Sequence, residues 1–280
     1  MVRSEQQFPM LVDSHVHIHS CFDIDALLDS AADNFRRVAG QRTTAVDGGT
    51  PVGCLALTET ARDHVYAAIS AGDSRWRPRR WTVRATGDAA AIILRSPDND
   101  ELIMLAGSQI ATVERLEVLA LATTNRYPDG RPLQETLAAL AADGVSAVIP
   151  WGFGKWWMGR GRLLTDLVSR SEPRSFLLGD SGGRPMAAPR PKLFGEAERR
   201  GFLILPGTDS FPYPSQQRKA GSFGFVLDSW RADDRPATEF RSQLARLRRS
   251  PSSFGSRVNL LEFAWLQVAM NVRIRWQRVA

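Results

Sequence analysis

The chain has 280 residues, 43% of them hydrophobic and 24% charged, with a net charge of +6. That balance suits a buried core of ordinary size and excludes a disordered or fibrous chain. Two cysteines, Cys21 and Cys54, exclude a disulfide framework and a CxxC metal knuckle, so a reducing compartment is expected.

Residues 10–16 are a short apolar run ending in histidines and predict a buried strand. Ala26, Leu27, Ala31, Phe35 and Val38 recur at helical spacing and predict a helix over 25–38, stopped by Gly40. Residues 54–58 predict a second buried strand, and 61–70 a helix closed by Gly72. Residues 81–85, 89–95 and 102–106 are β-rich and separated by turn formers. They predict hairpins, at about 76–106, inserted between strand–helix units.

A strand is expected over 115–122. Helix and strand then alternate: helix 133–143, strand 146–150, helix 162–169, strand 175–178, helix 192–200, strand 202–205 and a last strand over 222–227. The tail, about 238–280, predicts two amphipathic helices. Their apolar faces are Phe240, Leu244 and Leu247, then Leu260, Leu261, Ala264, Trp265, Val268 and Val272. Such alternation predicts an α/β fold with a parallel sheet, and about seven units favour closure into a barrel. The whole of 1–280 reads as one domain.

Nearly all the positive charge is arginine, with lysine only at Lys155, Lys192 and Lys219. Arginine's planar fork suits phosphate and carboxylate, so a basic cleft would favour a small anionic substrate. A GC-rich coding bias accounts for the same excess. The opening MVRSEQQFPMLVD lacks the apolar stretch of a secretory leader, and no run approaches a membrane span. A cytoplasmic protein without a membrane partner is expected. The basic stretch 241–249 reads as a solvated helix face, so nucleic acid is not an expected partner. Oligomeric state is left open.

Catalytic groups of a barrel sit at strand C-termini. The polar residues closing the predicted strands are His15 and His17, Glu59, Gln109 or Glu114, Lys155, Asp180 and Asp209. Residues two apart in a strand share a face, so His15 and His17 point the same way and can bind one metal ion. Asp13 shares that face and can orient a ring. Three solvated loop histidines are the bland alternative. It is weakened because three of only four histidines fall within five residues behind an apolar strand. Asp209 ends an apolar strand that opens into a glycine turn, where a carboxylate can ligate a metal or take a proton. A turn or helix-cap aspartate is the competing reading. Lys155 with Arg160 and Arg162 can clamp an anion, and Arg184 and Asp180 lie on another strand-end loop. A glycine-rich loop whose tryptophans close the barrel mouth is the equal alternative. Cys21 reads as a buried thiol, and His64 as a helix-surface or core residue.

The order of these motifs resembles the PHP (polymerase and histidinol phosphatase) family, and more widely the amidohydrolases, from about residue 11 to 225. The family's opening Asp-x-His-x-His corresponds to Asp13-Ser14-His15-Val16-His17. Its Thr-Asp-His corresponds to Thr58-Glu59-Thr60, its Gly-x-Glu to Gly107-Ser108-Gln109, and its His-Pro strand end to Ile149-Pro150-Trp151. Its closing Gly-Ser-Asp-x-His corresponds to Gly207-Thr208-Asp209-Ser210-Phe211. The resemblance implies a distorted (β/α)7 TIM-like barrel with inserted β-hairpins and C-terminal helices. It implies a divalent ion (zinc, manganese or iron, in a number left open) on His15, His17 and Asp209. Glu59 or Asp180 would then be a further ligand or base, and Lys155, Arg160 and Arg184 would hold the substrate.

The expected function is metal-dependent hydrolysis of a small anionic substrate, with a phosphate ester as one such substrate. The sequence departs from the family at Thr60, Gln109, Trp151 and Phe211. Those departures motivate the alternative of a degenerate barrel that binds a ligand or partner without turnover.

Overall fold

Strand β1 (Gln7–Val16) buries Met10, Leu11 and Val12 completely, with no polar residue alternating between them. A strand of that composition needs cover on both faces. The computed structural model describes residues 7–42, 51–231 and 234–279.

On one side β1 pairs in parallel with β2 (Val52–Leu57), and β2 pairs in parallel with β5 (Glu101–Leu105). The antiparallel strands β4 (Ala91–Arg95) and β3 (Thr82–Ala85) continue outward from β5. On its other side β1 pairs antiparallel with β11 (Phe223–Arg231), which carries β12 (Ser253–Gly255) at the edge. The order of this seven-stranded sheet is β12-β11-β1-β2-β5-β4-β3. A second, five-stranded sheet runs β10 (Ile204–Gly207), β9 (Leu177–Ser181), β8 (Ser146–Pro150), β7 (Glu117–Leu121) and β6 (Gly107–Ala111). Strands β8, β9 and β10 are parallel to one another, and β6, β7 and β8 are antiparallel.

The fold is therefore α/β, but the expected barrel does not form. Both edges of the β1–β2 pair are occupied, by β11 and by β5, so neither is left for a continuous ladder to the second sheet. The predicted inserted hairpins are strands of the larger sheet, and β5 takes the place beside β2. The two sheets meet at two short seams instead. At one, Glu59 beyond β2 bridges Ser108 of β6. Its N–H donates to the Gly107 carbonyl at 3.1 Å, and the Gln109 N–H donates to its carbonyl at 2.7 Å. At the other, the Asp209 N–H donates to the His15 carbonyl at 2.8 Å. Gly207 makes this second approach possible, because a Cβ there would lie 2.5 Å from His15 N.

Two apolar cores back the sheets. The first joins Met10, Leu27, Phe35, Leu57 and Phe225 under helix α1 (Ile24–Arg42). The second joins Leu140, Leu164, Phe194 and Phe202 from α3 (Leu133–Ala142), α4 (Met158–Arg170), α5 (Lys192–Arg199) and the turn before β10. Each fully buried leucine or phenylalanine contributes about 1.5–3 kcal/mol relative to exposure. The short α2 (Val65–Ala71) closes on Gly72 in the left-handed region, φ 72°.

In the tail, α6 (Pro236–Arg246) buries Phe240 and Leu244 as their spacing predicts. The next helix, α7 (Leu260–Val279), departs from its expected face. Leu260, Leu261, Trp265 and Val268 are exposed, while Leu266 is buried and the Phe263 ring meets Phe153 at 5.0 Å. Helical periodicity locates an apolar stripe but not what covers it. Among the described residues no helix is long and apolar enough to cross a membrane. Cys21 is exposed, contrary to its reading as a buried thiol, and Cys54 is buried.

Candidate metal centre

Strand alternation aims His15 and His17 to one side of β1, and both rings are buried. Their Nε2 atoms lie 3.1 Å apart. Asp209 follows β10 and holds φ at 53°, a left-handed conformation that aspartate tolerates better than most residues. Its Oδ1 lies 3.5 Å from His15 Nε2 and 3.7 Å from His17 Nε2. One donor atom from each residue falls within 4.8 Å of the others, so the three can hold a metal ion. The spacing suits one face of a tetrahedron, since ligand atoms about 2.0–2.1 Å from a zinc-like ion lie roughly 3.3 Å apart.

The donor chemistry agrees. Burial, with repulsion from His15, pushes the His17 pKa down to about 3, so its ring is neutral with a lone pair available. Burial alone would raise the Asp209 pKa. The electrostatic pull of His15, the charge of Lys155 and the Ser181 hydrogen bond together outweigh it and hold the group below the usual carboxylate range.

The groups around these three fix their geometry. Ser181 Oγ donates to Asp209 Oδ2 at 2.9 Å and accepts the Gly183 N–H at 3.0 Å. Gln109 Oε1 lies 3.2 Å from His15 Nε2. His19 Nε2 donates to the Ser210 carbonyl at 2.9 Å, and its ring stacks on His17 with centroids 5.4 Å apart. Asp13 does not orient a histidine ring. It is fully buried and accepts from Thr208 N (2.9 Å), Thr208 Oγ1 (2.7 Å), Gly221 N (2.9 Å) and His15 N (3.3 Å). Burial raises its pKa to about 6 against the pull of those donors. Asp13 therefore ties β1 to the loop that carries Asp209.

The remaining residues singled out by sequence, other than Lys155, lie apart from the cluster. Glu59 accepts the Tyr66 N–H at 2.6 Å at the start of α2 and the Arg126 Nη1 at 3.2 Å. Burial raises its pKa, with the Tyr66 bond and Arg126 opposing. Asp180 faces the other side of β9 from Ser181 and is held by Arg184 through Nε (2.8 Å) and Nη2 (2.7 Å). Arg160 donates to the Gly154 carbonyl at 2.9 Å and the Arg115 carbonyl at 3.3 Å. Lys155 pairs with Glu117 of β7 and also acts electrostatically on His17 and Asp209, so it is the cation associated with the cluster. His64 stands at the N-cap position of α2 without a side-chain cap bond and meets Arg126 at 3.3 Å. Ser181 was not singled out by sequence. The signal for it was strand parity: with β9 running to Ser181, residue 181 faces inward and residue 180 outward.

No family model matches the chain, and no curated protein matches it. Among solved structures it is similar to PsfC from Pseudomonas syringae PB-5123. The identity is 14%, over 96% of this chain and 99% of that one, with a TM-score of 0.49.

Proposed function

We propose that the chain is a metal-dependent hydrolase of a small anionic substrate, with a phosphate ester as the preferred class. The observation that carries this reading is the convergence of His15 and His17 Nε2 with Asp209 Oδ1 from two separate sheets. His15, His17 and Asp209 would hold a divalent ion (zinc, manganese or iron), which would supply Lewis acidity to a substrate oxygen and to water. The protein's own groups set the rest. Ser181 fixes the carboxylate, Gln109 lies beside the His15 ring, and Lys155, paired with Glu117, acts electrostatically on Asp209. The resemblance of the β1 and β10 motifs to the PHP family supports the same reading.

A second reading is metal or ligand binding without turnover. It is favoured by the engagement of Glu59 with Tyr66 and Arg126, and of Asp180 with Arg184, which occupies both carboxylates expected to serve as base.

Elemental analysis of protein purified without chelator tests both. Roughly one divalent ion per chain is expected for a three-ligand site. The His15→Ala/His17→Ala double variant should lose it, together with hydrolysis of p-nitrophenyl phosphate. Metal bound without hydrolysis of any phosphate ester selects the second reading. Metal content unchanged in the double variant rejects both.

A further inference from the structure

A cavity of about 420 Å³ lies on the side of β9 and β10 that faces away from the metal cluster. Ser181 turns inward to Asp209, and the adjacent Asp180 turns outward to this cavity. Three guanidinium groups line it, those of Arg184, Arg190 and Arg257, with the carboxylates of Asp180 and Glu198. Both carboxylates are fully engaged. Arg184 grips Asp180 through two donors, and Arg190 grips Glu198 at 2.9 and 2.8 Å. Each pair is fork on fork and close to neutral.

Arg257 is the surplus charge. Its guanidinium reaches only the Pro185 carbonyl, at 3.5 Å, and among the described residues it forms no ion pair. Burial and then repulsion from Arg184 lower its pKa, with Asp180 opposing. A partly buried cation beside a second cation lacks a counter-charge that a bound anion would supply. The loop carrying Arg257 is pinned in place: the Val258 N–H donates to the Gly182 carbonyl and the Met186 N–H to the Val258 carbonyl, both at 2.9 Å. Exposed Ser256 adds a hydroxyl at the rim.

We propose that this cavity is a second anion site, separate from the metal centre, that binds a phosphate group with Arg257 as its principal ligand. A carboxylate needs one guanidinium fork. Here the Arg257 fork stands beside the Ser256 hydroxyl, and three guanidiniums against two carboxylates leave one positive charge over, which suits a phosphate with its further oxygens and charge. The volume falls in the range of about 300–1,000 Å³ typical of pockets that hold a whole small ligand, so a phosphate monoester fits as well as the free ion.

The test titrates chelator-treated protein with sodium phosphate and, separately, glycerol 3-phosphate, each at ionic strength held constant with chloride. Calorimetry and thermal melting follow binding. Saturable binding is expected, with a melting temperature raised by roughly 5 °C at a hundredfold excess over Kd. Arg257→Gln should weaken binding by about tenfold or more. Ser256→Asp, a substitution at an exposed position, should weaken it without touching the core. His15→Ala/His17→Ala should leave it unchanged, which separates this site from the proposed hydrolase centre. Tighter binding of glycerol 3-phosphate assigns the site to a monoester, and equal binding assigns it to free phosphate. Absence of saturable binding, or the same affinity in folded Arg257→Gln and Ser256→Asp, overturns the proposal.

Discussion

The main chain of Asp209 donates to the carbonyl of His15 at 2.8 Å, while its side-chain Oδ1 lies 3.5 Å from the same residue's Nε2. One residue thus joins the two sheets and completes the candidate metal centre. Seam and centre are coupled, and whatever opens the seam moves the ligands. The strand end before Asp209 can come this close only because residue 207 has no side chain.

Gly207→Ala should therefore damage stability and metal binding together. The added Cβ would stand 2.5 Å from His15 N and 2.6 Å from His15 Cβ, contacts that backbone must shift to relieve. Overpacking of this kind costs about 1–3 kcal/mol. Urea unfolding should give a lower midpoint, and metal titration a weaker affinity. Normal affinity in a destabilised variant would mean that the seam and the centre are independent.

Ser181→Ala should separate the two effects. Its hydroxyl holds Asp209 Oδ2 at 2.9 Å and is not itself one of the three candidate ligands. Partners that orient metal ligands typically contribute about 10–100-fold in affinity. Metal affinity should fall by that factor. The melting temperature of the metal-free protein should move by no more than about 2 °C, the shift that roughly 1 kcal/mol produces in a chain of 280 residues. An unchanged affinity would remove Ser181 from the support of the site.

The histidine pair was legible in the sequence because period-two alternation depends only on the local chain. Asp209 was legible because a carboxylate ended an apolar strand with a glycine turn. What was not legible depends on which strands become neighbours. Strand–helix alternation suggested a closed barrel, yet β5 and β11 take the edges that closure needs. Gly107–Ala111 was not read as a strand, since its first three residues are all polar or side-chain-free, and only pairing with β7 settles it. Asp180 was singled out as the polar residue closing a strand expected to end at 178, but β9 runs on to Ser181, so Asp180 shares the outward face of Leu178 and Ser181 takes the inward one. Arg184 was placed at the substrate for the same reason, and it faces Asp180 on the outer side.

Thr208→Val probes the buried carboxylate that braces the Asp209 loop. The Thr208 hydroxyl donates to Asp13 Oδ2 at 2.7 Å, and the Thr208 N–H donates to Oδ1 at 2.9 Å. Valine keeps the shape and the main-chain bond but removes the hydroxyl. A hydrogen bond to a buried charged group contributes about 1.5–3 kcal/mol. A stability loss in that range is expected by chemical denaturation at neutral pH. A neutral result would show that the main-chain donors of residue 208, Gly221 and His15 satisfy Asp13 without the hydroxyl.

Glu198 gives a pH signature away from the candidate metal centre. Burial by itself would raise its pKa, but the bidentate Arg190 bond and the Ser250 hydroxyl at 2.7 Å outweigh it and hold the group below 4.5. A carboxylate depressed in the folded state stabilises above its unfolded pKa, and that contribution disappears as pH falls through the folded value. Glu198→Gln should therefore be less stable than the wild type at pH 7. The side chains are about 31% and 50% exposed, so solvent screening limits the difference to about 0.5–1 kcal/mol. The two melting curves should converge as the pH is lowered from 5 towards 3, and the gap at pH 7 should narrow in high salt. A gap that stays constant from pH 7 to pH 3 would assign the effect to lost packing rather than to charge.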